Sequence, residues 1–249
     1  MKNQYAGDIG DYGKYGLLRF LIGNGVCLGV NWYLTPNDAG NAGCHTEYLS
    51  DERMRAYDPA VYDTMKQLAF LPRETKNIQM VEDSGILKGA VFYHELLDLK
   101  RTDWRLRGET RKEWHEKALE ALSPAKLVFA DPDNGLFVGQ KDKQSGGEKY
   151  LLPEEARDYY DRGQDVLYYH HRPRKNEAEW LKDKTYLKGC LEGVKLLAVT
   201  SHRWANRAYI FAVHPQNHEF YRDVVQSFLE SPWGALKTDG RRFFTAEEV

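Results

Sequence analysis

The chain has 249 residues, 42% of them apolar and 29% charged, with a formal net charge of -2. That length suits a single α/β domain over 1-249 with a well-buried core, and the near-neutral balance leaves room only for a local basic face rather than a global pull toward a polyanion. No stretch approaches a membrane span, the polar opening MKNQYAGDIGDYG lacks secretory character, and Cys27, Cys44 and Cys190 are too scattered for a disulfide framework or zinc knuckle, so the expected location is the cytoplasm.

In the opening segment Gly7, Gly10, Gly13 and Gly16 recur every third residue, with Asp8 and Asp11 between them and Lys14 after. Glycine this dense predicts irregular backbone, with a short helix only over Lys14–Leu21. Interior packing explains the glycines equally well, but a polar end that would otherwise fray makes Tyr5, Asp8, Asp11 and Lys14 lid or pocket candidates. Leu28–Leu34 reads as a strand running into the small-residue loop Thr35–Gly43. Such a loop lets backbone approach a nucleotide-like ligand, although its spacing departs from G-x-G-x-x-G. His45, Glu47 and Asp51 follow without the spacing of a metal site.

Residues 57–87 read as a helical insertion of two helices, the first capped by Asp58 with Pro59 at its first position, the second resuming over Glu74–Ile86 after Pro72. Ala90–Tyr93 is a short strand ending in His94 and Glu95, and Asp98–Arg107 is a charged loop. Glu109–Leu122 is an amphipathic helix with Trp114, Ala118, Leu119 and Leu122 on one side and His115 toward solvent. Lys126–Ala130 is a short apolar run, expected to be a strand buried on both faces, and it ends abruptly in Asp131-Pro132-Asp133-Asn134-Gly135. That string is also what an ordinary surface turn looks like.

Lys141–Lys149 reads as a polar, mobile loop, Pro153–Arg162 as a helix, and Gln164–Tyr169 as a strand delivering His170, His171 and Arg172. A helix over Asn176–Leu191 leads to strand Val194–Thr200, which pairs antiparallel with Ala208–Val213 as a long hairpin. Helix His218–Leu229 closes the core and Thr238–Val249 forms an edge segment or tail. Four strands in succession thus end in polar clusters: Asn37/Asp38, His94/Glu95, Asp131/Asp133/Asn134 and His170/His171/Arg172. If those strands are parallel, the clusters share one rim of the sheet, and independent surface turns become a poor explanation.

This order of elements resembles that of class I S-adenosylmethionine-dependent methyltransferases, which have a Rossmann-like three-layer sandwich, a mostly parallel sheet and a C-terminal antiparallel hairpin. Asp38–Gly43 looks like the cofactor loop and Asp131-Pro132-Asp133 like the Asp-Pro-Pro-Tyr motif. The opening, with Tyr5, Gly7, Asp11, Lys14 and Leu17-Leu18, is similar to the start of the adenine-N6 methyltransferases of large-subunit ribosomal RNA. Taken whole, the chain resembles a widespread bacterial family sharing the GD-x-x-D-x-x-KYGLLR, DPDNG and YHH motifs. The methyltransferase resemblance implies S-adenosylmethionine as cofactor, held by Asn37, Asp38, Gly40 and Gly43 with Glu95 on its ribose, whereas the bacterial family implies a fold and no activity. It also implies that Asp131 orients the acceptor beside Asp133 and Asn134, that Tyr5 and Lys14 close the pocket, and that RNA or DNA is the partner. Two departures stand out: Asp133 and Asn134 replace the proline and aromatic residue that hold a target base, and Thr35 stands where an acidic residue usually ends the first strand. An extra carboxylate suits a cation or a hydroxyl better than an exocyclic amine.

A second reading is a metal-dependent nuclease or phosphodiesterase. Asp131, Asp133 and His170 or His171, with Asp8 or Asp11, would hold Mg²⁺ or Mn²⁺, and Arg172, Arg174, Arg203 and Arg207 would contact phosphates. A third is a catalytically inactive fold used for binding. Cofactor-shaped space beside Gly40 favours the first reading; carboxylates gathered within a few ångströms favour the second.

Overall fold

The structure, a computed structural model, describes residues 1–40, 43, 45–139, 147–172, 176–202, 207–235, 237–238 and 241–249. Seven strands form the central sheet: β1 Leu28–Asn31, β2 Val91–Tyr93, β3 Leu127–Ala130, β4 Asp165–His171, β5 Lys195–Ser201, β6 Arg207–Val213 and β7 Phe244–Glu248. Their spatial order is β7-β5-β6-β4-β3-β1-β2. β1 pairs parallel with β2 and β3, and β3 with β4; β6 runs antiparallel between β4 and β5, and β7 lies antiparallel on β5. The long hairpin is therefore present, and the C-terminal segment is an edge strand.

The short apolar run Leu127–Ala130 is buried throughout because its side chains alternate between two cores. Leu127 and Phe129 join Tyr12, Leu18, Met65 and Phe228 on one face, among α1 (Ile9–Gly23), α2 (Pro59–Ala69) and α7 (His218–Glu230). Val128 and Ala130 join Trp114, Tyr159 and Trp180 on the other, from α4 (Arg107–Ala121), α5 (Pro153–Asp161) and α6 (Glu177–Thr185). The result is an α/β sandwich of three layers around a mostly parallel sheet. Asp58 caps α2 as its sequence predicts, its side chain accepting the Val61 N–H at 3.1 Å.

Four expectations need correction. The glycines at 10, 13 and 16 do not break the first helix, which starts at Ile9, capped by Asp8. They line its tightly packed face: a Cβ at Gly10 would lie 2.3 Å from the Arg207 guanidinium and one at Gly16 2.2 Å from the Trp233 ring. Close packing thus outweighs the roughly 1 kcal/mol that a helical glycine costs. The insertion is less helical than expected after Pro72, with a 3-10 turn at Arg73–Thr75 and only α3 (Gln79–Asp83). The helix expected over Asn176–Leu191 ends at Thr185 and continues as a 3-10 turn, Tyr186–Gly189. His115 is buried, not solvent-facing, with Nε2 3.0 Å from Asp158 Oδ2. Among the described residues no helix is long and apolar enough to cross a membrane.

Candidate functional site

Because β1, β2, β3 and β4 are parallel, their carboxyl ends share one rim, and a cavity of about 250 Å³ opens there. Asp131 continues the line of β3, its N–H donating to Asn31 O at 2.9 Å, and is 5% exposed. Across the cavity α1 presents Lys14, whose Nζ lies 2.7 Å from Asp131 Oδ2 and 2.8 Å from Asp11 Oδ1. Burial opposes a charge on Lys14, but the two carboxylates outweigh it and hold the pKa well above the usual lysine value. For Asp11 burial wins instead: despite Lys14, its pKa is pushed up to about 6. Asp11 Oδ2 is buried without a hydrogen-bond partner among the described residues.

The remaining walls follow from turns and strand alternation. Asp8 Oδ1 accepts the Gly10 N–H at 2.6 Å and lies 3.6 Å from Arg207 Nη2. Arg207 sits opposite His171 in the β4–β6 ladder, and Tyr169, His171, Arg207 and Tyr209 face the cavity together. Burial, with help from Arg207, lowers the His171 pKa, and burial pushes the Tyr169 hydroxyl up to about 12. Asp133 Oδ1 lies 2.9 Å from the Met1 nitrogen, close enough for an ion pair though not aligned as a hydrogen bond. That nitrogen donates to Asp131 O at 2.9 Å and Tyr33 O at 3.1 Å.

The loop after Asp133 is fixed from below. Asn134 N donates to Lys149 O at 2.9 Å, and Gly135 adopts φ +95° where a Cβ would meet His170 Nδ1 at 2.3 Å. His170 Nδ1 accepts the Leu136 N–H at 2.9 Å and its ring stacks on Trp180, so this histidine supports the loop from the far side of β4. Arg111 anchors the facing segment, donating to Gly147 O and Tyr150 O, both at 2.6 Å, while pairing with Glu155 at 2.7 Å. Burial works against Glu155, yet Arg111 pulls its pKa below the ordinary value.

Of the residues singled out in the sequence, Tyr5, Asp8, Asp11, Lys14, Gly43, Asp131, Asp133, Asn134, His171 and Arg207 line the cavity. Asn37, Asp38, Gly40, Glu95 and His170 do not. Asp38 is held by Lys2 and by Gln4 Nε2 at 3.0 Å, and Asn37 Oδ1 accepts the Gln4 N–H at 3.2 Å. Gly40 is exposed, its carbonyl accepting from Arg73. Glu95 is turned outward, 3.4 Å from Lys117. Arg174, Arg203, Cys44 and most of Lys141–Lys149 lie outside the described residues. Sequence reasoning missed Tyr169, Tyr209 and Arg111. Period two would have found the first two, since Tyr169 and His171 share one face of β4, and Arg207 and Tyr209 one face of β6.

The arrangement brings four carboxylates (Asp8, Asp11, Asp131, Asp133) and the cations Lys14, Lys149 and Arg207 to one concave site. Lys14 already occupies the space between Asp11 and Asp131. Among the described residues no group of three or more His, Cys, Asp or Glu side chains is placed to hold a metal ion. A buried carboxyl with a pKa near 6 is suited to accept a proton close to neutral pH.

No family model matches the chain, and no curated protein matches it. Among solved structures it is similar to protein LPL1258 from Legionella pneumophila str. Philadelphia 1, described under the family model DUF519, with 13% identity over 98% of each chain and a TM-score of 0.48.

Proposed function

We propose that the chain is an S-adenosylmethionine-dependent methyltransferase-like enzyme acting on nucleic acid. The observation that carries this reading is the meeting of Asp131, Asp133 and Asn134, at the end of a buried parallel strand, with Tyr5, Asp11 and Lys14 across one cavity. The cofactor, when bound, supplies an electrophilic methyl group. In this reading the protein positions the acceptor and excludes water, which is most of what such a transfer needs. Asp131 and Asn134 orient the acceptor atom, Tyr5 closes over it, Lys14 bridges Asp131 and Asp11, and the Asp11 carboxyl takes up the acceptor's proton.

The fit of the cofactor is partial. Ligand pockets commonly span roughly 300–1,000 Å³, and this cavity of about 250 Å³ falls just below that. Seating a nucleoside against Asn37, Asp38, Gly40 and Gly43 requires Lys2 and Gln4 to release Asp38. Glu95, turned toward Lys117, does not support a ribose contact. The metal-dependent hydrolase is the weaker reading, because the Lys14 ammonium stands where a cation shared by Asp11 and Asp131 would sit.

The deciding experiment is calorimetric titration with S-adenosylhomocysteine, repeated with Mg²⁺ and Mn²⁺ after chelation. Micromolar cofactor binding weakened by Asp38→Ala supports the proposal. Absence of cofactor binding, together with metal binding lost in Asp131→Ala, replaces it with the hydrolase.

A further inference from the structure

The loop that leaves β3 carries two side chains whose polar atoms the fold leaves unspent. Asp133 lines the cavity and is 9% exposed, and neither of its carboxylate oxygens has a hydrogen-bond partner among the described residues. Its charge is balanced without using those acceptors. The Met1 amine, 2.9 Å from Oδ1, aligns its donors on Asp131 O and Tyr33 O, and Lys2 Nζ stays 3.9 Å from Oδ2. Asn134 also lines the cavity; its backbone N–H is fixed on Lys149 O at 2.9 Å, while its carboxamide makes no hydrogen bond to the described residues. Buried acceptors left unmade are costly, so a pair of them beside a free carboxamide marks a place for a ligand that brings donors.

That inventory is selective. A carboxylate offers two acceptors side by side, and a carboxamide one donor and one acceptor. Among the RNA bases only guanine presents two adjacent N–H groups, N1–H and N2–H, next to a carbonyl, O6. Adenine and cytosine set one amine beside a ring-nitrogen acceptor, and uracil sets one N–H between two carbonyls, so each would hold a lone pair against Asp133. A guanidinium also has paired N–H groups, but it brings no acceptor for Asn134. Every carboxylate of the cavity already faces a cation, which leaves hydrogen bonds rather than charge to choose the ligand. Size agrees: a cavity of about 150 Å³ admits benzene, and this one of about 250 Å³ has the scale of a fused two-ring base.

We infer that Asp133 and Asn134 select guanine as the base that enters the cavity, the Asp133 carboxylate accepting N1–H and N2–H and Asn134 Nδ2 donating to O6. The inference rests on the reading of the cavity as one acting on nucleic acid, and it names the base. The same two positions are where the chain departs from the Asp-Pro-Pro-Tyr pattern.

The test is calorimetric titration of the full chain with the monophosphates of guanosine, inosine, adenosine and xanthosine. Guanosine monophosphate is expected to bind at least about tenfold tighter than adenosine monophosphate, with inosine monophosphate, which lacks the 2-amine, between them. Asp133→Asn turns one acceptor into a donor and so matches xanthine, whose N1–H lies beside a carbonyl. That variant is expected to lose the guanine preference and to bind xanthosine monophosphate about tenfold better than the wild type does. Asn134→Ala is expected to weaken guanosine monophosphate roughly fivefold, and it carries the test if Asp133→Asn does not fold. Adenosine monophosphate bound as tightly as guanosine monophosphate, or neither bound at millimolar concentration, overturns the inference. So does an Asp133→Asn protein that melts like the wild type and keeps the guanine preference, or an unchanged guanosine monophosphate affinity in Asn134→Ala. Titration of the wild type with S-adenosylhomocysteine separates the two ideas. A protein that binds it and prefers adenine keeps the methyltransferase and loses the guanine selection, whereas one that prefers guanine and binds no cofactor keeps the selection and removes the methyltransferase.

Discussion

Asp11→Asn tests the electrostatic core of the site through stability alone. In the native protein burial raises the Asp11 pKa from 3.8 to about 6 despite Lys14 at 2.8 Å, so the folded state binds a proton more tightly than the unfolded chain does. The stabilisation from the neutral carboxyl is complete below pH 3.8 and is lost as pH rises through about 6. A rise from 3.8 to about 6, at about 1.4 kcal/mol per pH unit, amounts to roughly 3 kcal/mol. Asparagine has nearly the same shape, carries no charge at any pH, and leaves Lys14 its partner Asp131 at 2.7 Å. The variant should therefore gain on the wild type by up to roughly 3 kcal/mol as pH rises from about 4 to about 7. Urea unfolding of both proteins across that range, with equal denaturant slopes, reads the difference directly. A difference that stays within about 0.5 kcal/mol over the whole range refutes the reasoning. So does a wild type that gains on the variant, which would mean that attraction to Lys14 outweighs burial.

Lys14→Met removes the ammonium between two buried carboxylates and should cost about 3–5 kcal/mol at neutral pH, with part of the loss recovered at acid pH as Asp11 protonates; thermal melts at two pH values check both. Arg111→Met strands the buried Glu155 and should cost a similar 3–5 kcal/mol, while adding Glu155→Leu should restore much of it; recovery absent from denaturant unfolding of the double variant counts against a paired charge. His171 should titrate below the ordinary histidine value, and Arg207→Gln should move its midpoint upward, as followed by ring-proton NMR; an unmoved midpoint would leave burial as the sole cause. Gly16→Ala, which elsewhere in a helix would stabilise, should destabilise by about 1–3 kcal/mol, because the new methyl meets the Trp233 ring at 2.2 Å. A raised melting temperature would show that the ring can give way.

The sequence was most legible where local chemistry and tertiary context agree. Asp58-Pro59 carries a helix start in its own atoms, and the run Leu127–Ala130 is too short and too apolar for anything but a buried strand. It was misleading at the opening helix, where glycine's low helical preference is real but is overruled by Arg207, Phe243 and Trp233, residues far along the chain that pack where side chains would otherwise stand. His115 misled for a similar reason: its partner Asp158 comes from another helix, which its own helical periodicity cannot register.

The candidate site divides along the same line. By itself the sequence determined that Asp131, Asp133 and Asn134 leave a buried strand together, because hydrophobic run and turn residues are local signals. Only the tertiary structure decided their neighbours: Lys14 and Asp11 against Asp131, with Tyr169, His171, Arg207 and Tyr209 on the far wall, while Glu95 and His170 turn away. Strand polarity sets which loops share a rim, but which side chains meet across it depends on register and on the face each residue occupies. A one-residue slip reverses every face, so that choice is made by packing of the whole sheet and not by any one segment.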